Sequence, residues 1–276
     1  MFDYLINSFK RKIARRVTKE YPTAIDTFET KEYGSIKFAN WDNPLVSKKD
    51  IPEASIAFFK KFIKEGDLAI DIGANIGHTS VPMAVACGKT GLTLSFDPNP
   101  FVFKILEKNA TLNPQLSNIQ PFNFAITDFD DEFYYTSSEA SFNNGGISKE
   151  KSGKHGKYSL EKKIKGINLE TFLKREFAEK LPKLTFIKID TEGYDKEIIK
   201  SIKNLLVAFK PVVVSECFGK SSAADKFEHF EVLNALGYSL FYFHDFEDST
   251  EIIPILTKEE MLKWNHFNFY AVNNLP

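Results

Sequence analysis

Four titratable side chains mark the ends of two short apolar runs in the second half of the sequence. Asp190 and Glu192 follow one run, Lys188 lies inside it, and Glu216 ends the next. If both runs are parallel strands, their carboxyl ends meet at one edge of a sheet, where open α/β sheets bind ligands. We therefore predict an acid/base site with Asp190 as the base or a metal ligand. Glu192 and Glu216 would assist, and Lys188 would orient the carboxylates. The alternative is a purely structural ion-pair network, because a buried lysine needs a charged partner.

The case for a metal at that edge is weaker. Carboxylate oxygens suit Mg²⁺ or Mn²⁺. The two cysteines and five histidines form no zinc-binding spacing. Because no motif specifies an ion, a divalent metal is not favoured and no metal ligand is predicted.

A second chemical signal is the segment Asp71–Gly77, which joins an apolar run to a helical pattern. Its small residues let the backbone turn sharply beside a ligand, and the helix N-terminus presents free N–H groups. The glycine spacing is GxxxG, whereas dinucleotide sites carry GxGxxG. Asp71 would repel a pyrophosphate but suit the ammonium group of a bound amino acid, which favours S-adenosylmethionine over a nicotinamide cofactor. The predicted cofactor contacts in this part of the chain are Asp71, Gly73, Ala74, Asn75, Gly77 and His78.

A third signal follows the next two strands. Asp97 ends the second strand, twenty residues after the last glycine of that segment. A carboxylate there can accept hydrogen bonds from both ribose hydroxyls, so Asp97, Pro98 and Asn99 are assigned to the cofactor. Ala125 and Asp128 close the third strand and should flank the adenine, although Asp128 is equally consistent with an ordinary loop acid.

Alternating apolar runs and helical patterns predict an α/β fold from residue 53 onward. Strands separated by helices give a mostly parallel, Rossmann-like sheet that is covered on both faces. No clear helix separates the last two strands, which are predicted as an antiparallel edge pair. The predicted strands are 68–72, 92–96, 119–125, 184–189, 212–217, 238–243 and 267–272, and the predicted helices are 53–64, 76–86, 101–109, 169–177, 196–203 and 227–236.

The first 50 residues are predicted as an N-terminal unit, and residues 51–276 as the Rossmann-like domain. Residues 1–20 have the pattern of a basic amphipathic helix, and a small β-rich cap follows. The apolar stripe of this helix either packs on the domain or makes a peripheral membrane contact through residues 1–19. Residues 137–165, rich in Ser, Gly, Asn and Lys, are predicted as a mobile loop that belongs to the domain.

The bulk composition narrows the class of protein. A net charge of −1 argues against nucleic acid as a partner. No apolar run reaches the ~20 residues of a membrane span, and the N-terminus lacks a signal-peptide pattern. We therefore expect a cytoplasmic protein, peripheral at the inner membrane face if its first helix binds lipid. Residues 149–165 carry seven lysines, which suits an anionic acceptor.

These residues resemble the FkbM family of methyltransferases. The resemblance runs from about residue 66 to residue 272, and its most specific part is IKIDTEGY at 187–194. The other matching elements are DIGANIG at 71–77, DPNP at 97–100, NNGGIS at 143–148, PVVVSE at 211–216 and NFYAV at 268–272.

The resemblance implies a class I methyltransferase fold and S-adenosylmethionine-dependent O-methylation of a hydroxyl on a sugar, glycan or related natural product. The acceptor would be a small molecule or glycan, either anionic or lipid-linked. Three positions depart from the family: Asp97 and Asp195 replace a usual Glu, and Glu170 replaces a usual Asp. Two other functions are weighed, a non-catalytic cofactor-binding module and a nicotinamide-dependent enzyme. The acidic cluster argues against the first, and the glycine spacing argues against the second.

Overall fold

A mostly parallel sheet of eight strands organises the computed structural model, which describes residues 2–151, 156–247 and 249–273. The strands in chain order are β1 (Thr23–Thr30), β2 (Gly34–Trp41), β3 (Leu68–Ile72), β4 (Leu92–Phe96), β5 (Ile119–Phe122), β6 (Ala125–Thr127), β7 (Asp131–Ser137), β8 (Gly146–Ser148), β9 (Tyr158–Ser159), β10 (Ile164–Asn168), β11 (Leu184–Ile189), β12 (Val212–Cys217), β13 (Tyr238–Phe243), β14 (Ile252–Ile255) and β15 (Phe267–Asn273). The α-helices are α1 (Phe2–Ala14), α2 (Glu53–Lys60), α3 (Ser80–Cys87), α4 (Pro100–Thr111), α5 (Leu169–Glu176), α6 (Asp195–Ser201), α7 (Lys203–Phe209) and α8 (Ala223–Asn234).

The strand order of the large sheet is β14-β13-β15-β12-β11-β3-β4-β5. The five strands from β12 to β5 are parallel, and β15 is antiparallel to both β12 and β13. This confirms the predicted α/β class and the mostly parallel sheet with antiparallel edge strands. The antiparallel part is larger than predicted, because β14 pairs with β13 at the edge. Pro254 lies in β14, and proline is tolerated in an edge strand because one side needs no hydrogen bonds.

Strand register brings the acid/base residues together. Lys188 in β11 is opposite Asp71 in β3, and Ile189 is opposite Ser215 in β12. Side chains alternate between the faces of a sheet, so Asp190 and Glu216, one residue further along, share the face of Lys188. The predicted grouping of these residues at one sheet edge follows from this register.

A second, smaller sheet lies in a region that was predicted to be largely irregular. β6, β10, β7 and β8 are neighbours in that order, and β9 also pairs with β7. The prediction of one loop over residues 137–165 was therefore wrong in part, since β8, β9 and the start of β10 lie within it. Strands this short carry no readable periodicity and depend on their partners. Residues 152–155 of that loop lie outside the described residues.

Two helix predictions also needed correction. The helix predicted over 76–86 begins only at Ser80, because left-handed backbone at Asn75 and Gly77 holds the preceding residues in a turn. The helix predicted over 196–203 is α6, which ends at Ser201, and a second helix that was not predicted, α7, begins at Lys203.

The predicted β-rich cap is the hairpin of β1 and β2, and it packs on the Rossmann-like part. Phe38 and Trp41 of β2 share a core with Val102 and Ile105 of α4. The amide of Asn109 in α4 accepts from the backbone N–H of Ala39 at 2.6 Å and donates to its carbonyl oxygen at 3.0 Å. One turn later the amide of Asn113 pairs with Lys37 in the same way. These amides replace a neighbouring strand along the open edge of β2.

Helix α1 lies on the surface. Phe9 is 65% exposed and Val17 is 49% exposed, so the interpretation in which the apolar stripe packs on the domain is wrong for these residues. Among the residues that the structure describes, no helix is both long and apolar enough to span a membrane.

Candidate active site

A buried lysine lies between two carboxylates at the carboxyl edge of the central strands. The Nζ atom of Lys188 is 3.1 Å from Oδ1 of Asp71 and 3.3 Å from Oδ2 of Asp190. Burial alone would lower the pKa of Lys188, but the two carboxylates reverse that effect and raise it. The lysine therefore stays protonated and holds Asp190 at the end of β11, as an orienting role requires.

Asp71 is fully buried and does not reach the cavity. Its Oδ2 atom accepts hydrogen bonds from the hydroxyls of Thr79 and Ser80 at 2.8 and 2.6 Å. With Lys188 on the other oxygen, both oxygens of Asp71 have protein partners, and the ammonium contact of Asp71 stays a prediction. Sequence reasoning missed this because the two hydroxyls turn inward only through the three-dimensional path of the turn before α3.

The turn after β3 passes very close to the chain after β11. A Cβ atom on Gly73 would lie 1.8 Å from the carbonyl oxygen of Asp190, and Gly73 has a φ of +75°. Asn75 and Gly77 also have positive φ. Small residues are thus required here for packing between strands as well as for access by a ligand. Ala74 and Gly77 are not among the residues that line the cavity, and their contact with the cofactor stays a prediction.

Asp97 is placed to bind a donor inside the cavity. It is 7% exposed, and its two oxygens accept the backbone N–H groups of Asn75 and Asn99, each at 2.8 Å. Burial raises the pKa of Asp97 to about 7, because these hydrogen bonds offset the desolvation only in part. Each oxygen keeps a lone pair for a further donor, such as a ribose hydroxyl.

A cavity of about 650 Å³ opens at this edge of the sheet. Its volume lies within the roughly 300–1,000 Å³ of small-molecule sites. The predicted site residues in its walls are Gly73, Asn75, His78, Asp97, Pro98, Asn99, Ala125, Asp128, Asp190 and Glu192. The predicted residues behind the walls are Asp71, Ala74, Gly77, Lys188 and Glu216.

Other parts of the wall had no predicted role. Residues 143–149 close one side, and Asn99 fixes the start of this segment by donating its Nδ2 to the carbonyl oxygen of Phe142 at 2.6 Å. Lys149 belongs to this wall and pairs with Asp131. The sequence signals for this segment were the Gly/Ser stretch of the family resemblance, the predicted loop over residues 137–165 and the lysines that begin at Lys149. The aromatic wall residues are Phe96, Phe124, Phe129, Phe133, Tyr135 and Tyr194.

Asp128 and Tyr194 meet across the mouth of the cavity. The hydroxyl of Tyr194 donates to Oδ1 of Asp128 at 2.7 Å. Burial and the nearby carboxylate together raise the pKa of Tyr194, so the phenol stays a donor. The bond links the predicted adenine side of the cavity to the loop that follows Asp190.

That loop is held in place by Asp195. One oxygen of this buried carboxylate accepts from the N–H and hydroxyl of Thr191 and from the N–H of Gly193. The other accepts from the Ser215 hydroxyl and the Glu216 N–H, both at 3.3 Å. Burial raises the pKa of Asp195 to about 6. Asp195 therefore ties the loop to β12, a role that sequence reasoning did not assign.

Glu216 and His266 form a pair beside the cavity. Nε2 of His266 lies 2.7 Å from Oε1 of Glu216, while the buried Oε2 has no partner among the described residues. Burial and the charge of Asp190 raise the pKa of Glu216 to about 7. Glu216 lines a small adjoining pocket, and Gly193 lies in the walls of both. A carboxylate with this pKa and a free lone pair suits proton transfer.

His78 faces the cavity as a neutral imidazole. Burial lowers its pKa to about 4, and its buried Nδ1 atom has no hydrogen-bond partner in the described part of the chain. Because an unpartnered buried polar atom is costly, it is a natural contact for a polar ligand. In the same described ranges, no group of three or more His, Cys, Asp and Glu side chains has a geometry that could hold a metal ion.

Comparisons with known proteins match this chain to a family. Residues 71–240 match the methyltransferase FkbM domain. Hexuronic acid methyltransferase AglP of Haloferax volcanii is 28% identical over 153 residues, which cover 55% of this chain. The matched part spans 56% of the length of that relative.

Several solved structures are also similar. An S-adenosylmethionine-dependent O-methyltransferase from Thermotoga maritima has a TM-score of 0.44 at 14% identity, over 91% of this chain and 78% of that one. Methyltransferase FkbM from Methylobacillus flagellatus has a TM-score of 0.43 at 11% identity, over 77% of this chain and 47% of that one.

Proposed function

This chain belongs to the FkbM methyltransferase family, has its class I methyltransferase fold, and, we propose, transfers a methyl group from S-adenosylmethionine to an oxygen atom of a sugar or glycan. The observation that carries the proposal is the cavity at the carboxyl edge of the sheet. Its walls combine the Gly73 turn, the Asp97 carboxylate and the Asp190 carboxylate. Ligands of open α/β sheets bind at this edge.

The residues present fit S-adenosylmethionine. Asp97 keeps a free lone pair on each oxygen for the two ribose hydroxyls. The unpartnered Nδ1 of His78 provides a polar contact. Ala125 and Asp128 lie in the wall where the adenine would bind. When bound, this cofactor supplies an electrophilic methyl group.

Acceptor activation falls to the acidic side of the cavity. An alkyl hydroxyl is a poor nucleophile at neutral pH, so a base must take its proton. Asp190 and Glu216 are the two candidates, with Glu192 nearby on the loop. Asp190 is already paired with Lys188, whereas Glu216 has an unpartnered oxygen and a pKa near 7. We propose that Asp190, in the cavity wall, orients the hydroxyl, and that Glu216, in the adjoining pocket that shares Gly193 with the cavity, is the final acceptor of the proton. Lys188 is a positioning residue.

The acceptor that fits best carries a uronic acid. The relative AglP is named for hexuronic acid, and Lys149 lies in the wall of the cavity with its ammonium over the Phe133 ring. A sugar carboxylate could replace Asp131 as the partner of Lys149. Lys149→Ala should raise KM for a uronate acceptor about tenfold and leave KM for the matching neutral sugar unchanged. Lys163→Ala is the control, because Lys163 lies over Tyr134 outside the cavity.

The cofactor assignment is tested by calorimetric titration with S-adenosylmethionine and, separately, with NADH. We expect binding of the first only, and its loss in Asp97→Ala. Asp67→Ala is the matched control, since Asp67 also accepts a backbone N–H but lies before β3, at the opposite end of the strand. Binding of NADH instead would make the chain a nicotinamide-type protein. Cofactor binding without transfer of labelled methyl to any sugar acceptor would favour a non-catalytic module.

A further inference from the structure

The apolar side of α1 points away from the protein. Phe9 is 65% exposed and Ile6 is 38% exposed, whereas Ala14 is fully buried. With 3.6 residues per turn, Phe9 and Ala14 project about 140° apart around the helix. The helix therefore packs through the side that carries its small residue, and the side chains of Ile6 and Phe9 face solvent. Val17, just after the helix, extends this exposed face.

Basic side chains surround the exposed apolar residues. Lys10 and Lys12 lie on either side of Phe9 around the helix, and Arg16 follows directly after its last turn. All three are exposed. An apolar strip of this kind flanked by cations is complementary to a bilayer that contains anionic lipids, since acyl chains receive the apolar residues and headgroups receive the cations.

The C-terminal end of α1 is fixed close to the cavity. The carbonyl oxygen of Arg15 accepts a hydrogen bond from the N–H of Ala140 at 3.2 Å. The side-chain Nε atom of Arg15 lies 3.2 Å from Oε1 of Glu139. Two residues after Ala140, the carbonyl oxygen of Phe142 accepts from Asn99, which lies in the cavity wall. A surface that binds α1 is therefore connected through a few residues to the segment that closes the site.

We infer that α1 docks the protein on an anionic membrane surface, with Phe9 inserted and with Lys10, Lys12 and Arg16 contacting lipid headgroups. Docking places the cavity beside the membrane, where an acceptor carried on a lipid is available. This last consequence rests on the proposed function, whereas lipid binding itself does not.

The test is co-sedimentation of the full chain with phosphatidylcholine vesicles that contain or lack phosphatidylglycerol. We expect binding only to the anionic vesicles, weakening as salt is added. Each basic residue near a charged surface contributes about fivefold in binding, so Lys10→Glu/Lys12→Glu/Arg16→Glu should weaken it by at least ~100-fold. Phe9→Ser should weaken it about tenfold or more, from the lost burial of one aromatic side chain.

The controls change the same chemistry elsewhere on the surface. Lys89→Glu/Lys180→Glu/Lys183→Glu alters net charge equally, and Val207→Ser removes a side chain that is 55% exposed on α7. Both should bind vesicles like the original chain, and all variants should keep its thermal unfolding midpoint and its calorimetric affinity for S-adenosylmethionine. Equal binding to both kinds of vesicle, or full binding by the triple α1 variant, would overturn the proposal. The proposal would also be overturned if the original chain did not bind vesicles and sedimentation velocity showed that it is a dimer which Phe9→Ser dissociates. A second copy of the chain would then cover this face.

Discussion

At the scale of single residues, two carboxylates at the carboxyl edge of the sheet have different surroundings, which supports the different roles that we propose for them. Asp190 is paired with the buried ammonium of Lys188, whose Nζ atom lies 3.3 Å from its Oδ2 atom. Glu216 lies on the adjacent strand, and its carboxylate pairs with His266. Environments that separate two carboxylates in this way are typical of sites where one group orients and the other transfers a proton.

Glu216 gives the first prediction, a pH dependence. Its pKa is raised to about 7, and a base acts only when ionised, so kcat should rise with pH through about 7 and fall about tenfold per pH unit below it. Glu216→Gln should lower kcat at least ~100-fold and remove this rise. The pH profile of kcat at saturating cofactor is the measurement, because saturation keeps the titration of Asp97 out of the result. If the rise persisted in Glu216→Gln, the base would be another group.

Asp71 shows where residue-level reasoning reached its limit. Its type and its place at the end of β3 were read correctly from the sequence, as was the place of Asp97 at the end of β4. The difference between them lies in their neighbours: backbone N–H groups leave Asp97 open to a ligand, while two hydroxyls and Lys188 enclose Asp71. Such neighbours depend on tertiary packing, which strand-end position does not reveal.

At the scale of elements, the turn between β3 and α3 and the chain after β11 must interlock. Gly73→Ala places a methyl group against the Asp190 carbonyl, so we predict a loss of at least about 3 kcal/mol in unfolding free energy and of cofactor binding. Gly34→Ala in the β1–β2 turn is the matched control, because its φ is +69° and nothing lies within 4 Å. That variant should lose only about 1–2 kcal/mol of unfolding free energy, because alanine is strained in the left-handed backbone conformation. Equal losses in urea unfolding would show that the close approach is unimportant.

The loop after β11 depends on Asp195 in the same way. Asp195→Ala leaves five donors without this acceptor, of which the Ser215 hydroxyl is buried and the others are partly buried, so we predict a loss of about 3 kcal/mol in stability. We also predict a larger proportional loss of methyl transfer as Asp190 and Glu192 move. The exposed carboxylate of Asp225, which caps α8 with Ser222, is the comparison, and Asp225→Ala should cost about 1 kcal/mol and leave kcat unchanged. Urea unfolding and a methyl-transfer assay measure the two effects. If Asp195→Ala were less stable but fully active, the loop after β11 would have no role in methyl transfer.

The elements differ in how far the sequence predicts them. The strands of the large sheet are apolar runs bounded by turns, and β3 is buried at every position, so their composition alone identifies them. The smaller sheet has the opposite character, since β8 and β9 have three and two residues and exist only because β7 lies between them. The cavity wall at residues 143–149 includes β8 and belongs to this second class, so its composition alone did not identify it as part of the cavity.

At the scale of the whole molecule, the cap and the Rossmann-like part share one core. The predicted division at residue 50 follows a change in sequence character, from a β-hairpin pattern to alternating strands and helices. In space, however, Phe38 and Trp41 pack among side chains of α3 and α4, and the amides of Asn109 and Asn113 pair with the backbone of β2. Because buried apolar side chains and hydrogen bonds cross this boundary, we expect the cap and the Rossmann-like part to unfold together.

The two tryptophans of the chain make this testable. Trp41 is buried in the cap, and Trp264 stacks on Tyr242 near the antiparallel edge of the sheet, with ring centroids 4.1 Å apart. Trp264→Phe leaves only the cap fluorescent, and Trp41→Phe leaves only the far edge. In urea, we expect each single-tryptophan variant to show a fluorescence midpoint equal to its own midpoint by circular dichroism, because both probes report one cooperative transition. Asn109→Ala in the Trp264→Phe background should lower the unfolding free energy by about 2–3 kcal/mol and shift both midpoints to the same lower urea concentration. The control is Asn118→Ala, which removes a single hydrogen bond to Gly91 and should lower the unfolding free energy by about 1 kcal/mol. If the Trp41 fluorescence changed at a lower urea concentration than the circular dichroism, the hairpin would instead be a separate folding unit that packs on α4.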